Sequence, residues 1–225
     1  MKRSKVNSSL KNAMKQLEAI SFKLPAFAAW TFAEWQARRD RTGIIRETML
    51  GWDITDFGMH DFDSIGAVLF TIRNGIVGKP GIGTPYAEKL ICLTGGQRLP
   101  LHYHAVKTED IITRGGIVWM ELYNAKQDDS VDYETPVQVY CDGILRTFNA
   151  GERFEVASGG SVTLRPRLYH RFGAAGDAVA GEVSSVNDDR TDNYWAEAVR
   201  RFADIIEDEP PLCPLCNEYE KWLAP

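Results

Sequence analysis

The chain has 225 residues, enough for one large domain or one domain with an extension. Its 44% hydrophobic and 25% charged content is ordinary for a soluble globular protein, the net charge of −5 argues against a nucleic-acid binder, and no run approaches the roughly 18 apolar residues of a membrane span. The basic start, Met1-Lys-Arg-Ser-Lys, leads into an amphipathic segment rather than an apolar one, so no secretory leader is expected and the cytoplasm is the default.

In chain order, the spacing of Val6, Leu10, Ala13, Met14, Leu17 and Ile20 predicts a helix over 4–20. Thr31 with Glu34 three residues later reads as a capping box, opening a helix through Trp35 to about Arg41. Phe22, Phe27, Trp30, Phe32 and Trp35 crowd this stretch and read as a core seam. Residues 1–48 thus form an N-terminal helical extension. From 49 to 190 the texture is all-β, with short apolar runs bounded by Gly, Pro, Asn and Asp. The predicted strands are Ala67–Ile72, Glu88–Leu93, Leu99–His104, Glu109–Arg114, Gly116–Tyr123, Val137–Tyr140, Arg146–Asn149, Arg153–Val156, Ser161–Leu164, His170–Gly173 and Ala178–Val186. Asp142-Gly143 is a tight-turn signal. Many short strands suggest a jelly-roll sandwich or barrel. Asp192–Ile206 returns to helical spacing through Trp195, Val199 and Phe202, so 191–225 reads as a C-terminal helix and an acidic, proline-rich tail. The whole is expected to be a single domain.

The chain has 4 cysteines. Cys213-Pro-Leu-Cys216 could be half a zinc site or a redox pair, but Cys92 and Cys141 stand alone in strand-like runs. Two reduced thiols in a loop is the expectation.

Three of the 4 histidines fall in two short segments. His102 and His104 are two apart, so on a strand both leave the same face. Glu109 can return to that face from the next strand, and His170 follows later in Pro166-Arg-Leu-Tyr-His170. Imidazole and carboxylate are ligands of divalent first-row metals. An isolated His-x-His is more often a solvated surface strand; here the flanks change that. Gly96 to Gly116 reads Gly-x5-His-x-His-x4-Glu-x6-Gly, which resembles the first motif of the cupin superfamily. Gly160-Ser-Val-Thr-Leu-Arg-Pro166 resembles the start of the second motif. Where that motif has Pro-x-Gly-x-x-His, this chain lacks the Gly and is one residue shorter. The resemblance implies a mainly β cupin jelly-roll barrel with N-terminal helices and a C-terminal helix.

Local residues narrow the chemistry. Lys89 precedes the first motif, Lys107 lies between His104 and Glu109, and Glu182 is a lone charge in the strand Ala178–Val186, expected to cross beside His170. A metal, a carboxylate and a lysine facing one cavity suit proton abstraction next to a carbonyl, the equipment for aldose–ketose isomerisation. Lysines at such positions are more often solvated, and Asp188, Asp189, Arg190 and Asp192 also read as a solvated turn and a helix N-cap.

Leu101-His-Tyr-His-Ala-Val-Lys-Thr-Glu-Asp-Ile-Ile-Thr-Arg-Gly-Gly, with Gly181-Glu-Val-Ser-Ser-Val-Asn-Asp-Asp, resembles the bacterial D-lyxose isomerase family of cupins. Nearly the whole chain is covered. The resemblance implies a Mn²⁺-preferring enzyme, with Co²⁺, Fe²⁺ or Zn²⁺ as possible replacements, that interconverts D-lyxose with D-xylulose and D-mannose with D-fructose through a cis-enediol. It implies His102, His104, Glu109 and His170 as metal ligands. From position alone, Glu182 is the expected base with Glu109 as the alternative, Lys89 or Lys107 the donor to the developing oxyanion, and Lys89, Gln97, Lys107 and Asp188 the sugar contacts. Tyr103, Trp119 and Phe172 are candidates to exclude water. No nucleic-acid or membrane partner is expected, and a homodimer through sheet edges is. Two rivals stand beside this reading: an Fe²⁺ cupin dioxygenase with the same ligands, and a non-enzymatic sugar-binding cupin.

Overall fold

The computed structural model describes residues 1–223. Helix α1 (Arg3–Ala19) buries Val6, Leu10, Ala13 and Leu17 along one stripe. It stops where Ser21 enters the left-handed region at φ 57° and the Phe22 N–H reaches back to Leu17 O at 2.9 Å. Helix α2 (Phe32–Ala37) has the expected capping box: the Glu34 N–H donates to Thr31 Oγ1 at 3.2 Å, and Glu34 Oε2 accepts from the Thr31 N–H at 2.9 Å. It is shorter than expected. A 3-10 turn at Arg39–Arg41 separates it from α3 (Gly43–Glu47). The aromatic seam is real: Trp35 packs edge-on against Phe27 and Trp30 and tilts against Tyr219.

Among the described residues the strands are β1 (Gly51–Thr55), β2 (Ala67–Gly75), β3 (Gly83–Leu93), β4 (His102–Tyr103), β5 (Glu109–Gly115), β6 (Ile117–Ala125), β7 (Val131–Asp132), β8 (Val137–Cys141), β9 (Ile144–Phe148), β10 (Phe154–Ala157), β11 (Ser161–Leu164), β12 (Leu168–Ala174), β13 (Ala178–Ser185) and β14 (Tyr194–Trp195). They form an eight-stranded sheet in the order β1-β2-β3-β13-β5-β11-β8-β9 and a six-stranded arrangement with the path β10-β6-β12-β4-β14, β7 pairing with β6. The fold is mostly β, two facing sheets with helices at both termini.

Two cores explain the strand sequences. Leu69, Ile91, Leu93, Ile111 and Ala180 of the larger sheet meet Val118, Met120, Leu122 and Phe172 of the smaller one. On the opposite face Val68, Phe70, Leu90 and Cys92 pack under α1. Strands β2 and β3 are therefore covered on both sides and read as continuous apolar runs, without the alternation of a half-exposed strand. Asp142 and Gly143 take φ of 50° and 77° in the turn that joins β8 to β9, as the primed hairpin types require. Gly116, the last residue of the histidine motif, sits at φ 72°, where a Cβ would collide with the Asp177 carbonyl.

Three expectations need correction. Strand β1 was not anticipated. The run Leu99–His104 supplies only the two-residue β4. Asp192–Ile206 is not a helix. Trp195 and Val199 do bury against the core at helical spacing, but the backbone is spent on long-range bonds: Ala196 N–H to Leu101 O and Arg200 N–H to Phe57 O, both 2.9 Å, and Ile206 O from the Arg3 N–H at 2.9 Å. Those bonds preclude an i→i−4 ladder. The segment is a strap across the sheets, and the C-terminal helix is instead α4 (Tyr219–Leu223). Residues 224–225 of the anticipated tail lie outside the described residues. Cys213 and Cys216 are free and buried in the loop before α4, Cys213 under α1 and Cys216 beside Trp35. Among the described residues no helix is long and apolar enough to cross a membrane.

Candidate metal centre and adjoining cavity

His170 of β12 pairs directly with His102 of β4, and His104 follows two residues on. One ligand atom from each of the three lies within 4.8 Å of the others, and all three residues are buried. Each ring is oriented through Nδ1. His102 Nδ1 bonds Pro100 O at 2.9 Å, His170 Nδ1 bonds Leu168 O at 2.9 Å, and His104 Nδ1 bonds Asp192 O at 2.5 Å. A carbonyl accepts only, so Nδ1 carries the proton and Nε2 keeps a lone pair, the tautomer that a metal takes. Burial, followed by the neighbouring His170 and His104, holds His102 well below the usual imidazole range and so neutral.

Glu109 reaches the same point from β5 in the larger sheet. Its Oε1 lies 3.2 Å from His170 Nε2 and 3.5 Å from His104 Nε2. Burial alone would raise its pKa; the charge of Lys107 outweighs this and keeps the carboxylate ionised. His170 Nε2 is buried and has no hydrogen-bond partner: with the proton on Nδ1 it is an acceptor, and the close Glu109 carboxylate has no proton to give. An orphaned imidazole nitrogen costs free energy unless something electrophilic fills the gap. Three convergent Nε2 groups and one anionic oxygen fit a divalent cation. His60, the remaining histidine, is exposed at φ 57° and stands outside this set.

A chain of alternating charges leads away from Glu109. Lys107 Nζ lies 2.6 Å from Glu109 Oε2, 3.0 Å from Glu182 Oε1 and 3.2 Å from Asn187 Oδ1. Lys89 Nζ lies 3.8 Å from the same Glu182 oxygen and 3.4 Å from Asp189 Oδ1. Asp189 Oδ2 lies 3.1 Å from Arg201 Nη2. Register explains the grouping. Glu182 of β13 sits opposite Lys89 of β3 and Ile111 of β5, and Ser184 sits opposite Glu109, so period-two alternation puts Lys89, Glu182 and Glu109 on one inner face. Strand β13 therefore lies in the sheet facing β12, not beside His170 as expected. Burial works against Asp189, but Arg201 and Lys89 hold it well below the ordinary carboxylate range.

These groups line a cavity with Phe57, Leu99, Phe172, Asn193 and Trp195. A groove beside α1 includes neither a histidine nor a pair of carboxylates, so chemistry singles out the histidine cavity.

Of the expected sugar contacts, Lys89, Lys107 and Glu182 meet in this cavity. Gln97 does not. Its side chain accepts from the Thr94 N–H at 2.8 Å and donates to Phe62 O at 2.7 Å, closing a turn below α1. Asp188 does not either; it accepts from the Arg190 N–H at 2.9 Å and from Thr191, and the next residue, Asp189, faces the cavity. Of the aromatic candidates, Phe172 lines the cavity, whereas Tyr103 packs with Tyr169 and Tyr194, and Trp119 lies under Arg153. Sequence reasoning missed Asn193, Trp195 and Arg201, all on the strap. Trp195 pairs with His102 in register, its ring centroid 4.7 Å from the imidazole. Asp192, expected as a helix N-cap, takes the N–H groups of Ala105, Val106 and Lys107 at 2.7, 3.1 and 2.9 Å and fixes the loop that aims Lys107.

A family model described as D-lyxose isomerase matches residues 1–219. A D-lyxose/D-mannose isomerase of Serratia proteamaculans is 41% identical over 229 residues, covering 100% of both chains. One of Escherichia coli O157:H7 is 39% identical, over 99% of this chain and 100% of its own. Among solved structures, Geodermatophilus obscurus L-ribose isomerase superposes with a TM-score of 0.55 at 18% identity, covering 92% of this chain and 98% of that one. Acinetobacter sp. DL28 L-ribose isomerase in complex with L-ribose gives 0.55 at 14% identity, with the same coverage. At such identities the structures speak for the fold.

Proposed function

The chain belongs to the D-lyxose isomerase family, and on that premise we propose that this sugar isomerase interconverts D-lyxose with D-xylulose and D-mannose with D-fructose, with Mn²⁺ at His102, His104, Glu109 and His170. The observation that carries the reading is the meeting of three Nε2 groups and Glu109 with the Lys107–Glu182–Lys89 chain in one cavity of buried side chains. D-lyxose and D-mannose share their configuration from C2 to C4 and differ by one carbon at the far end, so one cavity can serve both.

When bound, the cation supplies Lewis-acid polarisation of the sugar's carbonyl. The chain's own residues do the rest. Glu182, an acceptor buried beside two ammonium groups, removes the proton from C2 and returns it to C1. Lys89 donates to the sugar oxygen that gains charge as the enediol forms. Lys107 stays charged, holding Glu109 toward the histidines and Glu182 toward the sugar. Trp195, Phe57 and Phe172 keep water from the enediol. We place the enzyme in the cytoplasm as a homodimer.

The test is a panel of divalent metals against aldoses on protein stripped with chelator, scoring ketose. Formation of D-xylulose from D-lyxose and D-fructose from D-mannose is expected. No ketose from either sugar with any metal would overturn the reading.

A further inference from the structure

We propose that Asp53, on β1 and outside the lining of the histidine cavity, is a positioning residue for the reaction and acts through Arg201 and Asp189 on Lys89; this rests on the isomerase reading above. Asp53 is the only charged side chain of β1 and is 2% exposed. A buried carboxylate is not needed for a sheet's stability, since an apolar side chain of similar volume generally serves as well. Its surroundings give it another use. Oδ1 accepts from the Ile54 N–H at 2.8 Å, and Oδ2, which makes no aligned hydrogen bond, lies in ion-pair contact 2.7 Å from Arg201 Nη2. The strap that carries Arg201 is bound to the same strand: Thr55 Oγ1 donates to Arg201 O at 2.7 Å, and the Arg200 N–H meets Phe57 O.

Arg201 Nη2 is thus shared between two carboxylates, 2.7 Å from Asp53 and 3.1 Å from Asp189. A guanidinium facing a single carboxylate tends to take both of its oxygens in a fork. Here Asp53 holds the guanidinium to one oxygen of Asp189. Asp189 Oδ1 is left for Lys89 Nζ at 3.4 Å, and Lys89 stands 3.8 Å off Glu182 without closing onto it. Without Asp53, Arg201 would take both oxygens of Asp189. Lys89 would then close onto Glu182, which occupies the carboxylate and removes the donor from the sugar oxygen. The loss therefore falls on kcat, since the proton transfer suffers and the cavity's shape does not.

The experiment uses the Mn²⁺-loaded full chain with D-lyxose. Asp53→Asn is expected to lower kcat by about 100-fold, the scale of a small misplacement at a reacting centre. KM should stay within about threefold, and metal content should match wild type. Asp189→Asn is expected to show a similar loss, and adding Asp53→Asn to it should cost nothing more in kcat, because both act along one line. If Asp53→Asn does not fold, Arg201→Gln replaces it in the same cycle, since the neutral amide has no charge with which to bind either carboxylate. Wild-type kcat in a folded variant, or losses that multiply in the double variant, would overturn the proposal and leave Asp53 a fastener of the strap. A wild-type chain that forms no ketose takes down the isomerase reading, and this proposal with it; an active wild type with an unimpaired variant takes down this proposal alone.

Discussion

Lys107 Nζ lies 3.0 Å from Glu182 Oε1 while the same ammonium stands 2.6 Å from Glu109 Oε2. One cation therefore couples the candidate metal ligand to the candidate base. Burial would drive the Lys107 proton off, but the charges of Glu109 and then Glu182 outweigh it and raise the ammonium above its usual range. This pairing favours the ammonium form of Lys107, a donor and not a base, which leaves Glu182 as the proposed base.

Replacing Lys107 by Met keeps its length and removes that charge. Glu109 then loses its counter-charge in the interior while Glu182 keeps only Lys89 at 3.8 Å, and breaking a buried pair in this way costs about 3–5 kcal/mol. The Lys107→Met protein should be destabilised on that scale in EDTA and should recover part of the loss in Mn²⁺, which takes over the neutralisation of Glu109. Urea unfolding in the two buffers reads both quantities. Wild-type stability of the variant in EDTA would show that the ion pairs contribute nothing net.

Glu182→Gln keeps size and hydrogen bonding and removes the base. Turnover should fall by roughly 10²–10⁴-fold, the usual worth of a positioned general base. Bound metal should match wild type, because Glu182 touches no histidine-bound position. Exchange of the C2 proton with solvent deuterium should slow in parallel, since an enediol route passes through that exchange. Near-normal turnover would move the role to Glu109.

How much of this was legible in sequence differs by residue. His102, His104 and Glu109 announce themselves because a strand's period of two and a short bend suffice to gather them. Glu182 stood out as a lone charge in a strand of small and apolar residues. Gln97 was drawn in by its nearness to the histidines in sequence, yet its amide is spent on Thr94 and Phe62. Arg201 and Trp195 were hidden for the opposite reason. Their strap mimics helical spacing, and what makes it a strap is a set of bonds to Leu101 and Phe57 about a hundred residues or more away in sequence, which no local pattern encodes. Asp53 is invisible without Arg201.

Chelation with EDTA should abolish ketose formation, and Mn²⁺ should restore it better than Zn²⁺. Zinc favours four ligands, and His102, His104, Glu109 and His170 would leave it none to offer a sugar. Manganese accepts six. His170→Ala should lower metal content as well as activity, since it removes the nitrogen that has no other partner. Full activity in the chelated enzyme, verified metal-free by elemental analysis, would refute a metal role in catalysis.

The last prediction concerns acid. Arg3, fully buried at the start of α1, holds Glu207 with Nε at 2.8 Å and Nη2 at 2.7 Å, and Glu218 at 2.6 Å. These bonds, with Lys221, pull the Glu207 pKa down to about 2. The unfolded chain titrates the same group near the ordinary value of about 4.3. A carboxylate depressed in the folded state binds protons more readily when unfolded, so its contribution is fully present above the unfolded pKa. It is lost as pH falls from about 4.5 through about 2. Glu207 is partly exposed, and screening will keep the effect modest. Glu207→Gln should therefore be less stable than wild type at pH 6, and the gap should close progressively as pH falls through that window. Paired urea titrations across the range measure the gap. A gap independent of pH would mean that the residue fastens the tail to α1 by packing and neutral hydrogen bonds, with its charge playing no part.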